Sequence, residues 1–291
     1  MLEAVPNVSE GRDPAAVAAI GRAFSTSARL LDVHSDFDHH RAVFTLAADR
    51  EDLTDALVAG IACACELIDL RSHQGVHPRV GAADVVPVVP LDAGGMETAK
   101  AAALTLADRV GRGLGLPVFL YGEVGGGRVP AFFRRGGVEE LTRRVRAGEL
   151  APDFGPSEVD ARAGAVLVGA RPPLVAYNVD LATDDVDLAR AIAAAVRESN
   201  GGMPGVQAIG LRLPRSGRVQ VSMNVLDLER SPLHVVVERV RQEAALRGLG
   251  ISGGELVGLV PARVLEAATA AGAHIPGVDE SQVLERALAL S

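Results

Sequence analysis

Apolar and polar positions along the chain fall into two similar series of short runs. In the first series, residues 2–8 form an apolar run broken by Pro6, which predicts a strand entering a loop. Asp13 followed by Pro14 is an N-cap with proline in the first turn, predicting a helix to about Phe24. Strands are predicted at 30–33 and 41–48. Within 51–70, Leu53, Leu57, Ile61, Ala64 and Ile68 recur at helical spacing. A strand at 84–91 completes a β-α-β-β-α-β order. A helix at 97–110, a strand at 118–121 and a helix at 138–146 extend it.

The second series repeats this order. A strand is predicted at 174–179 and a helix at 184–197, with Val186, Ala189, Ile192, Ala193 and Val196 on one face. Strands at 206–213 and 218–226 flank the turn Pro214-Arg215-Ser216-Gly217. A helix opens at Ser231-Pro232, and a glycine-interrupted strand spans 251–260. The expected fold class is α+β, with two tandem ferredoxin-like (βαββαβ) subdomains covering 1–172 and 173–291. The linker is read as Gly169-Ala170-Arg171-Pro172-Pro173. Two open sheets with helices on one face each would bury their other faces by facing one another across a ligand cleft.

The densest chemistry lies in the segment from His73 to Asp84, which holds His73, His77, Pro78 and Arg79. Gly75, Pro78 and Gly81 forbid a continuous helix there, so both histidines sit in a loop between rigid elements. A histidine titrating near neutral pH moves a proton in either direction, and Arg79 suits a carboxylate. The same segment also reads as a polar loop with helix-capping histidines. A second cluster, Asp36-Phe37-Asp38-His39-His40-Arg41, reads mainly as a polar turn near a site, since no third well-spaced ligand group supports a metal. Gly111-Arg112-Gly113-Leu114-Gly115 follows a helix and precedes a strand, the reverse of a dinucleotide fingerprint. Gly125-Gly126-Gly127 lacks the lysine of a phosphate loop and reads as a turn or lid.

Composition narrows the options. Of 291 residues, 48% are hydrophobic and 23% charged, which excludes disorder and collagen-like repeats. Aromatics are only 3%, with no Trp, so base stacking is disfavoured. A net charge of −8 argues against nucleic acid and anionic membrane as partners. Lys100 is the single lysine, so local positive charge comes from arginine. Cys63 and Cys65 point to different sides of a helix and read as small buried hydrophobes without a disulfide. The N-terminus lacks a secretory pattern, and the expected location is the cytoplasm.

Several segments resemble one family. These are Ala4 to Arg12 (A-V-P-N-V-S-E-G-R), His73 to Ala82 (H-Q-G-V-H-P-R-V-G-A), Leu120-Tyr121-Gly122-Glu123, Ala151 to Pro156, Gly164-Ala165, Gly169-Ala170-Arg171, Ala176-Tyr177-Asn178, Gln220-Val221-Ser222 with Asn224, and Glu255 to Pro261. Together they are similar to glutamate formimidoyltransferase, the transferase part of formimidoyltransferase-cyclodeaminase, across nearly the whole chain. The resemblance implies transfer of a formimino group from N-formimino-L-glutamate to N5 of tetrahydrofolate, a step of histidine degradation. It also implies two α/β subdomains with folate between their sheets.

By the same resemblance, His77 is catalytic. The folate-contacting stretch is Gly155-Pro156-Ser157-Glu158-Val159-Asp160-Ala161-Arg162-Ala163-Gly164. A bulky residue at Gly164 is expected to raise the folate KM before it harms folding. Arg41 and Arg79 are the expected carboxylate clamps. Asp38 or Glu123 would hold the charge of the protonated amidine, and His40 would touch substrate or tune a neighbour. Val76, Ala163 and His40 depart from the family's usual Glu, Trp and Asn. Tetrahydrofolate is expected as co-substrate with no metal, and a homodimer as the assembly. The cyclodeaminase step is expected to belong to another protein. Alternatives are a formyl transferase making 5-formyltetrahydrofolate, a folate-binding homologue without turnover, and a His/Asp metal hydrolase.

Overall fold

The computed structural model describes residues 1–92 and 94–290 and shows a mixed α+β protein with two sheets. The chain divides into two compact units, Met1–Pro172 and Pro173–Ser291.

The first unit runs β1 (Leu2–Ala4), β2 (Asn7–Val8), α1 (Pro14–Phe24), β3 (Arg29–Asp36), β4 (Arg41–Ala48), α2 (Arg50–Leu67), β5 (Ala83–Pro90), α3 (Met96–Gly113), β6 (Val118–Gly122), α4 (Pro130–Arg134), α5 (Gly137–Arg146) and β7 (Val166–Ala170). Asp13 caps α1 through hydrogen bonds from the Ala15 and Ala16 amides, and Pro14 opens the first turn. β1 and β2 lie between β4 and β5 and are antiparallel to both. Their break at Val5-Pro6 falls beside Pro87, which has no amide to donate; the Val5 amide bonds the Pro87 carbonyl instead. β3 pairs with the far side of β4, while β7 and β6 extend the sheet beyond β5 in parallel.

Alternation along β5, β6 and β7 divides two cores. Val86, Val88, Val118, Leu120, Val166 and Val168 face the side of the sheet covered by α2 and α3. Val85, Phe119, Tyr121 and Leu167 face Phe133 of α4 and Leu141 of α5. This corrects the expectation of helices on one face only: the added strands are wholly apolar and need cover on both sides.

The second unit runs β8 (Val175–Leu181), α6 (Val186–Val196), β9 (Val206–Arg212), β10 (Val219–Val225), α7 (Leu233–Ala245), β11 (Ile251–Val257), α8 (Ala262–Ala270) and α9 (Leu284–Leu290). Its antiparallel sheet has the order β11-β8-β10-β9. Tyr177, Val179, Val219, Val221 and Met223 pack with Ile192 and Val196 of α6 and with Val236 and Val240 of α7.

Three other expectations change. Gly169 and Ala170 end β7, so the connection begins only at Arg171. Residues 166–170 form a buried strand, which Gly164 and Gly169 had hidden by reading as punctuation. α4, α8 and α9 were not anticipated; α4 and α9 span 5 and 7 residues, too few for a helical period to show. No helix among the described residues is long and apolar enough to cross a membrane.

Candidate active site

The β3–β4 turn supplies half of the ionisable cluster. Burial pushes the Asp36 carboxyl up, but hydrogen bonds from the His39 ring (Nδ1, 3.1 Å) and the His39 amide (2.6 Å) prevail and bring it down to about 2. His40 follows with φ +51°, the single non-glycine residue in the left-handed region among those described. Its Nδ1 donates to the Gln74 carbonyl at 2.9 Å and its Nε2 to Glu10 Oε1 at 3.1 Å. The ring stacks on His73 with centroids 3.8 Å apart.

The loop after α2 supplies the other half. Arg79 ties it together, donating to the Gly75 carbonyl (2.7 Å), the His77 carbonyl (2.8 Å) and His73 Nδ1. His73 Nε2 in turn donates to the His40 carbonyl at 3.2 Å. Burial, then the nearby Arg79 and His40 charges, push His73 down to about 4. Gly75 admits no side chain: a Cβ there would lie 2.6 Å from the His39 carbonyl and 2.7 Å from the Arg79 guanidinium.

His77 stands between these parts. Arg41 Nη1 lies 2.9 Å from His77 Nε2. Arginine has no acceptor, so Nε2 accepts and the ring proton sits on Nδ1. Nδ1 is buried without a partner of good geometry, although the Pro78 backbone favours a proton on the ring. Burial first, then Arg41, Arg134 and His39, hold His77 well below the usual imidazole range. Burial and the Arg134 charge also bring Arg41 down to about 10.

Beneath the loop, the buried Asp84 accepts from the Val80 amide (2.7 Å) and the Gly81 amide (3.3 Å) through Oδ1, and pairs with Arg134 of α4 through Oδ2. The result is a neutral imidazole beside guanidinium groups: a proton carrier next to an anion receptor. Among the described residues, no group of three or more His, Cys, Asp or Glu is arranged to hold a metal ion.

The structure brings His77, Arg41, Arg79 and His40 together. Asp38 joins them through its carbonyl, which accepts from the Val76 amide at 3.3 Å. Glu123 is not among them. It follows β6 at the end of the parallel strands away from the His77 loop, with Lys100 Nζ at 3.9 Å. Arg79 is engaged with its own loop. In the 155–164 stretch, Gly155, Pro156, Ser157 and Glu158 are exposed, whereas Ala163 and Gly164 are buried. The second end is stitched to the loop base: Ala82 donates to the Ala163 carbonyl at 2.8 Å, and Gly164 bridges Gly81.

Arg134 and Asp84 were not singled out as site residues by sequence. Asp84 did leave a signal, because a charged residue in the otherwise apolar run 83–90 needs a buried partner. Arg134 left none.

Two family profiles cover the chain: the formiminotransferase domain, N-terminal subdomain, over residues 1–171, and the formiminotransferase domain over residues 176–285. The chain is 40% identical over 295 residues to a glutamate formimidoyltransferase of Thermoplasma acidophilum, covering 98% of this chain and 96% of that protein. It is 37% identical to a glutamate formimidoyltransferase of Streptococcus pyogenes serotype M1, covering 91% and 90%. It is 39% identical to a formimidoyltransferase-cyclodeaminase of Gallus gallus, covering 91% of this chain and 51% of that protein.

Proposed function

The chain belongs to the formiminotransferase-domain family, and from that premise we propose that its His77–Arg41 cluster carries the transfer of a formimino group from N-formimino-L-glutamate to N5 of tetrahydrofolate. The protein is a transferase, and tetrahydrofolate is its co-substrate. The observation that supports the site assignment is the neutral His77 imidazole held beside Arg41, a guanidinium without a carboxylate partner among the described residues.

In this reading, N5 attacks the formimino carbon and a new C–N bond forms. The N5 proton passes to His77. The imidazolium then delivers that proton to the glutamate nitrogen as the old C–N bond breaks, and glutamate leaves as an amine. The environment that holds His77 down serves both halves of the cycle. It keeps the ring neutral at pH 7, and it makes the imidazolium a strong acid toward the leaving nitrogen. Arg41 clamps a donor carboxylate. Asp38 is the candidate for the protonated amidine. Arg79 and His40 hold the loop in shape rather than the substrate. Residues 160–164, bound to the loop base, are the part of the 155–164 stretch proposed to meet folate.

We further infer that both units are ferredoxin-like. In each, the strand order places the first strand between the third and the fourth, and in the first unit β7 and β6 extend the pattern. The N-terminal unit is the one that holds the catalytic histidine.

An absorbance assay of 5-formiminotetrahydrofolate formation tests the reading. Wild-type protein should form the product from N-formimino-L-glutamate faster than it transfers a formyl group from N-formyl-L-glutamate. Preference for the formyl donor would overturn the assignment.

A further inference from the structure

Arg41 occupies the nitrogen that His77 needs for catalysis, and we propose that Arg41 is a donor-operated gate: a carboxylate of the bound donor draws the guanidinium off Nε2 and arms the base only then. The inference rests on the reading of His77 as the base.

Three observations carry it. Neither ring nitrogen of His77 is free to take a proton in this arrangement. The Nε2 lone pair accepts from Arg41 Nη1 at 2.9 Å, and Nδ1, which carries the ring proton, is buried. Arg41 is also the uncommitted arginine of the cluster. Arg134 is paired with Asp84, and Arg79 bonds two carbonyls and His73, whereas Arg41 has no carboxylate within ion-pair distance among the described residues. A carboxylate would replace one bond to a neutral acceptor with a charge-assisted, bidentate pair. Finally, the Arg41 backbone is held by pairing with Asp36 at the start of β4, so release of Nε2 is a side-chain rotation that leaves the strand in place.

The gate couples donor recognition to chemistry. Neutralising the cation beside the ring raises its basicity, so His77 becomes a better base once the donor carboxylate is seated. Donors lacking that carboxylate should then lose kcat as well as affinity.

The test is NMR of protein labelled with ¹⁵N-histidine, titrated with pH in the absence and presence of L-glutamate at concentrations that inhibit transfer competitively. Arg41 of β4 touches His77 and the His39 ring lies 6.1 Å from it, centroid to centroid, while the charge of Arg134 of α4 also acts on His77, and the charges of Asp36 and Asp84 act on Arg41. Glutamate should move the His77 midpoint up by about one pH unit or more, the size expected when an adjacent charge is neutralised. The acid limb of kcat should lie at higher pH than that of kcat/KM, because the first reports the liganded and the second the free enzyme. In Arg41→Gln the midpoint should already be raised and should not respond to glutamate, while Arg41→Lys should retain a smaller response.

A wild-type midpoint that does not move, an equal movement in Arg41→Gln, or absence of inhibition by glutamate would each overturn the gate. The wild-type arms need no variant to fold. If the gate operates but His77→Ala retains full transfer activity, the reading of His77 as the base fails and the Arg41 switch stands.

Discussion

The polar clusters of the two units are built to opposite ends. In the second unit, buried Asp180 is compensated on both oxygens, by Gln220 Nε2 and Arg218 Nη1, each at 2.7 Å. In the first, Arg41 meets a neutral imidazole, and His73 and His77 are both pressed toward their uncharged forms. A cluster that answers its own charges holds a sheet together. One that leaves a cation beside a neutral base keeps affinity in reserve for an anion. The difference traces to α4, which the second unit lacks and which brings Arg134 to the cluster.

His77→Ala sharpens this contrast most. It should lower kcat by about 10²–10⁴-fold with folate binding retained, read by the absorbance assay and by folate titration. His73→Ala should be milder, and the reverse ranking would exchange their roles. Next in size is Asp84→Ala. Leaving Arg134 unpaired should cost about 3–5 kcal/mol in urea unfolding, since a buried charge loses its partner. A cost below about 1 kcal/mol, the level of an exposed pair, would break the distinction between the clusters.

Acid should expose the first unit in particular. His73 takes its proton near pH 4 when folded but near the usual value of 6.5 when unfolded. The unfolded chain therefore binds more protons between these limits. Stability should be complete above about pH 6.5 and decline by up to about 1.4 kcal/mol per pH unit toward pH 4 for this one group. His73→Gln should flatten that slope in unfolding curves taken across the window.

Gly164→Val should cost about 1–3 kcal/mol, because its φ is +74° and a Cβ would lie 2.1 Å from the Val80 carbonyl. This reverses the order expected from sequence. Folding should suffer before the folate KM rises, and a raised KM at unchanged melting temperature would restore the earlier view. The smallest effect belongs to the second unit. Arg218 is half exposed and Gln220 still answers Asp180, so Arg218→Ala should cost no more than about 1 kcal/mol in urea unfolding.

Elements with strong local signals were legible along the chain. Asp13-Pro14 marked α1, periodicity marked α2 and α6, and the run 41–48 matched β4. These are set by capping, helical spacing and strand alternation, which act between residues a few positions apart. The Gly75–Pro78–Gly81 punctuation also placed His73 and His77 in a loop. What those residues touch there emerges from the folded chain. It joined Arg41 to His77 across 36 positions and Arg134 to Asp84 across 50, engaged Arg79 with its own loop, and set Glu123 at the other end of the sheet. Charge compensation depends on distance in space and on burial, and neither is written in the spacing of residues along the chain.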